Sequence, residues 1–457
     1  MGIKQDTFLR ESRRKASDMD HRRKINFSLS QSHKAFREGQ LRFSNVEAAR
    51  QQAKNVKWKA LENLDKYLEE FEKNFTLRGG KVIWAQNAQE AREAVLKICR
   101  DKQAKKIVKS KSMVTEEIHL NKFLEDNLIE VIETDLGEYI QQLADEPPYH
   151  IVAPAMHKSR EDVAQLFHEK LNVEAGLPPE QLTLVAREKL REEYREAEIG
   201  ITGVNFILAD IGGVAVTENE GNARLSTSFP QTHIAITGIE KLLPSVDDLD
   251  LFWPLLAAFG SGQNITVYNT IFTGPKQKNE PDGPQEMIVI LLDNGRTKVL
   301  ADPEAREILY CIRCGSCLNV CPVYQNIGGH TYATPYSGPI GAVLTPLLED
   351  LGQYKHLSYA SSLCGSCTDA CPVRINLHKL LLDNRHKAVV ENYSSRSEKF
   401  GWYAWRKASL SRTIMNMAGG NMKNFVISKL FGKLWGDDRE LPVFAPKSFS
   451  QLWKERD

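Results

Sequence analysis

No stretch of the chain approaches the ~20 consecutive apolar residues that a membrane-spanning helix needs. The nearest, LDLFWPLLAAFG at 249–260, is short and interrupted by Asp250 and Pro254. The amino-terminal stretch MGIKQDTFLRESRRKASDMDHRRK is charged throughout, so it lacks the apolar core of a secretory signal. Asp6 stands where N-myristoylation needs Ser or Thr. Net charge is nearly absent: 60 Lys+Arg face 59 Asp+Glu, which removes the electrostatic case for nucleic acid as the main partner. No G-x-G-x-x-G follows a strand pattern and there is no P-loop. GSG at 260–262 is too little to count, so neither a Rossmann cofactor site nor a nucleotide-hydrolysing site is supported. Cysteine is scarce outside one region. Of eight, seven lie within 311–371, and the eighth, Cys99, sits in the helical pattern EAVLKICR, where it reads as a small buried apolar residue. A disulfide framework would spread cysteines through a small secreted chain; clustering in a long chain points to metal. Together these absences predict a soluble, cytoplasmic protein.

What is present divides into four regions. Residues 1–75 are polar and helical; Val46, Trp58, Leu61, Leu64, Tyr67, Leu68 and Phe71 recur near helical spacing. In 76–300, strand patterns (KVIWA, KIVKSKS, IEVIET, HIVAPA, ITGVNFILADIGGVAVTE, HIAITGI, NITVYNTIFT, EMIVILLD) alternate with helical ones (AQEAREAVLKICRDKQ, VTEEIHLNKFLEDN, REDVAQLFHEKL). That alternation predicts an α/β domain with a mainly parallel sheet. Residues 301–390 hold the cysteines among short helices and loops. Residues 391–457 form a helical, aromatic-rich tail.

The cysteines form two copies of one pattern. CIRCGSCLNVCP places Cys311, Cys314, Cys317 and Cys321 before Pro322; SSLCGSCTDACP places Cys364, Cys367 and Cys371 before Pro372, with Ser361 where a fourth thiol is expected. C-x-x-C-x-x-C-x-x-x-C-P is the run that builds iron–sulfur clusters in bacterial-type ferredoxins, where the fourth Cys of each run ligates the other cluster. Three closely spaced thiolates grip one cube, small residues such as Gly315 and Ser316 let the backbone approach it, and the proline turns the chain away. Applied here, one [4Fe–4S] cluster takes Cys311, Cys314, Cys317 and Cys371. A second site takes Cys321, Cys364 and Cys367. It holds either a [3Fe–4S], or a [4Fe–4S] whose last iron meets Ser361, another side chain, water or a partner group. Zinc also uses C-x-x-C pairs but needs only four ligands from two knuckles, so iron–sulfur is the better reading. Between the copies, His330, Tyr332 and Tyr336 belong to a loop that either packs over the clusters, forms a docking surface or supplies the odd ligand. A helix is expected from about Pro339.

Two stretches of the α/β part are rich in polar residues. One has Lys109, Ser110, Lys111 and Ser112 before a helix, then Glu133, Asp135 and Glu138 after a strand; Lys and Ser at a strand end suit an anion. The other has Asp210, Gly212 and Gly213 between strands, then Glu218, Asn219, Glu220, Asn222 and Arg224. Both are equally readable as solvated loops with helix caps. His150 and His157 flank a strand pattern and read as ordinary. In the tail, seven basic residues and no acidic one lie between Lys399 and Gly436, interleaved with Trp402, Tyr403, Trp405, Phe425, Phe431 and Trp435. This is either a membrane-surface or partner-docking helix or a helical cover for the cluster domain with its lysines in water.

KSKSMVTEEIHLNKFLE, ETDLGEYIQQLADEPPYHIVAPAMHKSREDVAQLF, GITGVNFILADIGGVAVTENEGN, CIRCGSCLNVCPVY and GPIGAVLTP together resemble the lactate utilization protein B family, over roughly residues 40–455. The resemblance implies an α/β LUD domain, similar to the NagB/RpiA/CoA-transferase-like fold, followed by an α-helical ferredoxin-type two-cluster domain. It also implies an NAD-independent role in L-lactate oxidation to pyruvate, as an electron-transfer subunit beside two partner subunits of the A and C types; a two-cluster relay suits passage of electrons to a membrane quinone pool or to another acceptor. The seven-thiol set fits the family pattern, and no residue is assigned as catalytic. The paired motifs also resemble the iron–sulfur subunit of glycolate oxidase, so another 2-hydroxy acid is an alternative. A second alternative is a CoA-transferase-like domain using Glu218 as nucleophile, and a third is a redox-sensing protein without turnover.

Overall fold

The computed structural model describes residues 3–416, 418–435 and 440–456. They fall into two compact units, 1–387 and 388–457.

In the first unit the chain opens with helices whose starts are fixed by side-chain caps. Asp18 accepts from the N–H of His21 ahead of Met19–Gln40, and Asn45 from that of Ala48 ahead of Val46–Glu62. Each satisfies a backbone donor that the helix itself leaves free. Ile25, Leu29, Phe36, Ala53, Ala60, Leu61, Leu68 and Phe71 are buried, whereas Trp58 is exposed despite its place in the helical spacing.

Ten strands follow: β1 (Lys81–Ala85), β2 (Lys106–Lys109), β3 (Glu130–Glu133), β4 (Ile199–Gly203), β5 (Phe206–Leu208), β6 (Gly213–Glu218), β7 (Thr232–Gly238), β8 (Leu242–Leu243), β9 (Tyr268–Phe272) and β10 (Glu286–Leu292). Six form an all-parallel sheet in the order β1-β10-β7-β4-β2-β3. Its central strands are buried end to end, β7 wholly and β10 over Met287–Leu292, as expected of a sheet covered on both faces. Helix Asn222–Ser228 packs directly on β4 at Gly200, where a Cβ would lie 1.7 Å from the Ser226 carbonyl oxygen. A second sheet, β8-β5-β6-β9, is mixed and was not anticipated; β5 and β6 lie in the run ITGVNFILADIGGVAVTE, β9 in NITVYNTIFT, and β8 in no segment read as a strand.

Two local expectations are corrected. HIVAPA at 150–155 is not a strand: the His150 ring Nδ1 accepts from the N–H groups of Val152 and Ala153, at 3.1 Å each, which closes a turn ahead of Pro154. VTEEIHLNKFLEDN is two short helices, Met113–Glu117 and Leu120–Glu125, broken at His119, whose φ of 50° is left-handed. Cys99 is fully buried.

The second unit holds helices Arg396–Ser409, Arg412–Asn416, Gly420–Trp435 and Phe449–Lys454. Trp402, Tyr403, Trp405 and Phe425 are exposed. The side chains of Phe431 and Trp435, and all of Gly436, lie outside the described residues. No helix among the described residues is long and apolar enough to cross a membrane.

Candidate functional site: two thiol-lined cavities and the chamber beside them

The two cysteine runs fold alike, fifty positions apart. Gly315 and Gly365 take left-handed φ of 76° and 87° and open the four-residue helices Ser316–Asn319 and Ser366–Asp369. Two residues past the first ligand position the backbone is again left-handed, at Arg313 (φ 60°) and Leu363 (φ 55°). The N–H of Arg313 donates to Cys311 Sγ at 3.4 Å, and that of Leu363 to Ser361 Oγ at 3.1 Å. Ser361 therefore occupies the structural place of Cys311. Non-glycine residues pay for that backbone, and the N–H turned toward a sulfur or oxygen is what the strain delivers. Pro322 sits in the first turn of helix Pro322–Ile327, where its missing N–H costs nothing.

This geometry gathers the thiols into two sets. Cys311, Cys314, Cys317 and Cys371 line one cavity, walled by Ile151, Ile312, Ile340, Val373, Ile375 and Leu377. Cys321, Cys364 and Cys367 line another with Ser361, Ser362 and Ser366. The first set is dry: Cys314, Cys317 and Cys371 are buried, and the Ile375 N–H donates to Cys371 Sγ at 3.4 Å. Burial, then the neighbouring thiols, pushes the thiols of Cys314 and Cys317 well up; burial alone dominates in raising Cys371 to about 12. Cys364 is the opposite case, exposed and with its thiol lowered by the Ser366 hydroxyl 3.5 Å away. Four thiols, three of them buried, with no carboxylate or imidazole among them are inert as thiols; as thiolates they require a cation to bind.

The surroundings are built for a net anion. Glu117 is held by Arg296 through two bonds of 2.8–2.9 Å and accepts from Tyr336 Oη at 2.6 Å. Arg296 also donates to Glu240 at 2.5 Å, and Arg313, stacked 4.6 Å over Tyr336, reaches Glu240 at 3.3 Å. Lys57, fully buried, meets only the carbonyls of Glu240 and Leu242; Lys241 meets that of Val204. Four cationic side chains thus surround two carboxylates. Burial, with mutual repulsion and against the pull of Glu240, drives Lys57 and Lys241 down to about 8. A tetrathiolate iron–sulfur cluster is itself an anion in either redox state, so the donor set and the charge around it both fit such a group.

A cavity of about 260 Å³ lies on the other side of Arg313 and Cys314. Ser110, Lys111, Ser112, Asp135, Glu218, Glu220 and Lys241 also line it, so the two polar stretches picked from the sequence converge here. Lys109 does not take part. It is turned into the interior, 2.7 Å from Glu133, 3.4 Å from Glu116 and 3.9 Å from Glu138, so the expectation that Lys109 serves an anion at the strand end is replaced by a closed ion network. Asp210 is likewise structural, accepting from Ser245 Oγ and the Val246 N–H; Gly212 and Gly213 lie in the adjacent turn and strand. Glu218 lines the cavity, but its oxygens accept from the N–H groups of Ala223 (2.6 Å) and Arg224 (3.0 Å), which ties it to the start of a helix. Glu220, at the mouth, is raised to about 7 by burial of its carboxyl and by Asp135. Asn219 bonds to Gln263, and Arg224 stacks on Tyr268.

The histidines and tyrosines of the connecting loop are packed elsewhere. Tyr332 and Tyr336 are buried, and His330 Nε2 meets the Pro147 carbonyl at 2.7 Å. His157 pairs with Glu146 at 3.0 Å and stacks on Tyr149. None of these lines the second thiol cavity. Sequence reasoning missed Lys57, Lys241 and Arg313. Arg313 stood inside the C-x-x-C run and was readable; Lys57 and Lys241 carried no signal.

Residues 68–292 match the LUD domain and residues 307–375 the 4Fe-4S dicluster domain. A DUF162 family protein from Deinococcus radiodurans of known crystal structure is similar over 50% of this chain and 98% of its own, at 13% identity and a TM-score of 0.27, a likeness too slight to carry an argument. Curated proteins are far nearer. Lactate utilization protein B of Bacillus velezensis is 45% identical, over 90% of this chain and 89% of its own. Its namesakes from Anoxybacillus flavithermus (45%, over 91% and 92%) and Shouchella clausii (44%, over 90% and 89%) are equally similar. At that identity over that extent, the chain belongs to the lactate utilization protein B family.

Proposed function

We propose that the chain is the iron–sulfur electron-transfer subunit of an L-lactate-oxidising system, working with A-type and C-type subunits. The observation that carries this is the sorting of seven thiols into two neighbouring sets, one of four in a dry cavity and one of three with Ser361. In this reading Cys311, Cys314, Cys317 and Cys371 hold a [4Fe–4S] cluster, and Cys321, Cys364 and Cys367 hold a second, three- or four-iron cluster. Clusters so held supply one-electron storage and transfer; oxidation of lactate to pyruvate releases two electrons. The chain's own residues supply the rest. The isoleucine wall excludes water from the first set, the N–H groups of Arg313 and Ile375 point at sulfur, and Lys57, Arg296, Arg313 and Lys241 balance negative charge. The names of the relatives support the substrate. The exposed tail aromatics offer a surface for a partner or for the inner membrane face.

The test is purification without oxygen, followed by iron and acid-labile sulfide quantification and an EPR-monitored redox titration. Two distinct clusters titrating separately are expected; zinc alone, or no acid-labile sulfide, overturns the reading. Ser361→Cys gives a sharper check. Because Ser361 shares the backbone of Cys311, the new thiol is expected to alter only the signal of the second cluster and to leave iron content undiminished. Loss of iron from this variant would show that position 361 does not face the metal.

A further inference from the structure

The chamber beside the first thiol set has a polarity of its own. Its inner wall carries Lys241 and Arg313, and next to them Cys314 is shared with the thiol cavity. Arg313 is buried, and its Nε and Nη1 have no hydrogen-bond partner among the described residues. A buried guanidinium with open donors is costly unless an acceptor fills the place, and a planar carboxylate is the acceptor its geometry suits. Lys241 donates to the Val204 carbonyl at 2.8 Å, and an ammonium has three donors. Glu218, Glu220 and Asp135 form a carboxylate wall, with Lys111 among them. At about 260 Å³ the chamber falls below the usual ~300–1,000 Å³ range of ligand sites, which favours a small molecule over a nucleotide or a coenzyme. A ligand matching both walls has a carboxylate at one end and a hydrogen-bond donor at the other. Among acids of this size, a 2-oxo acid cannot donate, whereas a 2-hydroxy acid donates from its hydroxyl and a 2-amino acid from its ammonium; Lys111 among the carboxylates already offsets their charge and favours the neutral donor.

We propose that this chamber is a binding site for a short 2-hydroxy carboxylate, its carboxylate on Lys241 and Arg313 and its hydroxyl donating to the wall of Glu218 and Glu220, beside Cys314. The assignment rests on the lactate reading above and places the substrate on this subunit. Lys241 and Arg313 then act as binding residues.

Calorimetric titration of the anaerobically purified, cluster-loaded chain with L-lactate, pyruvate and L-alanine tests this. The three differ only in the group on the second carbon. L-lactate is expected to bind most tightly. Lys241→Met is expected to weaken it roughly ten- to a hundredfold, the loss of one charge-assisted hydrogen bond, and Lys241→Arg to recover most of that. A ligand-dependent change in the EPR signal of the first cluster should accompany binding and vanish in Lys241→Met. If that variant does not fold, the unmutated chain decides: L-lactate should slow acetylation of Lys111 at the chamber and leave unchanged that of Lys4, which does not line it. Absence of saturable L-lactate binding, binding indifferent to Lys241→Met, unchanged Lys111 labelling, or tighter binding of pyruvate or L-alanine would each overturn the proposal. If clusters load and titrate normally in a preparation that ignores L-lactate, only the site is wrong; if no clusters load, the electron-transfer reading falls first and takes the site with it.

Discussion

Replacing Cys317 by alanine is expected to strip roughly half of the iron from the protein, on the two-cluster reading, and to abolish growth on L-lactate. Cys317 sits on helix Ser316–Asn319, 9% exposed, in a cavity whose other walls are Ile151, Ile312, Ile340 and Val373. None of those side chains can donate to a metal, and the dry wall leaves water no polar partner to hold it in place. The site has no substitute ligand. The second set is more forgiving, because Ser361, Ser362 and Ser366 stand around Cys364; Cys364→Ala should lose less iron than Cys317→Ala. Iron and acid-labile sulfide per chain, with EPR of the remaining signal, measure both variants. Full iron retention in Cys317→Ala, or a greater loss in Cys364→Ala, would contradict the division of the thiols into these sets.

Arg296→Met should be the most destabilising single change away from the cysteines. Arg296 is 1% exposed and grips Glu117 with two bonds and Glu240 with a third. Its removal leaves two interior carboxylates short of their main partner, a situation that costs about 3–5 kcal/mol. Gly238 shows how closely the chain is fitted to this side chain, since a Cβ there would come within 2.3 Å of Arg296 Nε. Lysine is no replacement, because a point charge cannot make the paired bonds to Glu117. Denaturant unfolding of the metal-loaded chain should show the loss for Arg296→Met and a partial loss for Arg296→Lys. A change below ~1 kcal/mol in Arg296→Met would mean that the carboxylates find water or protons instead.

The thiol sites were legible because their chemistry is written in spacing: three cysteines, a glycine that can turn left-handed and a proline that ends the run are all local. The parallel sheet was legible for a similar reason, since strands such as Glu286–Leu292 are apolar from Met287 onward. What spacing does not report is the partner. Lys57 lies in a helix read for its apolar stripe, and Lys241 ends the short turn Ile239–Lys241 ahead of Leu242–Leu243; the two acquire meaning only when they and Arg313 are brought together from distant parts of the chain. The same holds for Lys109, which looked like a cation at a strand end and is instead enclosed by Glu116, Glu133 and Glu138. The turn at His150–Ala153 was misread because IVAP has the composition of a strand, while the decisive fact, a ring nitrogen taking two backbone N–H groups, depends on the rotamer of one side chain.

The two thiol sets also differ in what can reach them. Cys364 is exposed, whereas Cys314, Cys317 and Cys371 are buried in a cavity with a largely aliphatic wall. Dissolved oxygen meets the outer set first. In air the protein should therefore bleach in two stages, the set around Cys364 decaying while the inner one still holds its colour, and a sample handled on the bench would report the inner set alone.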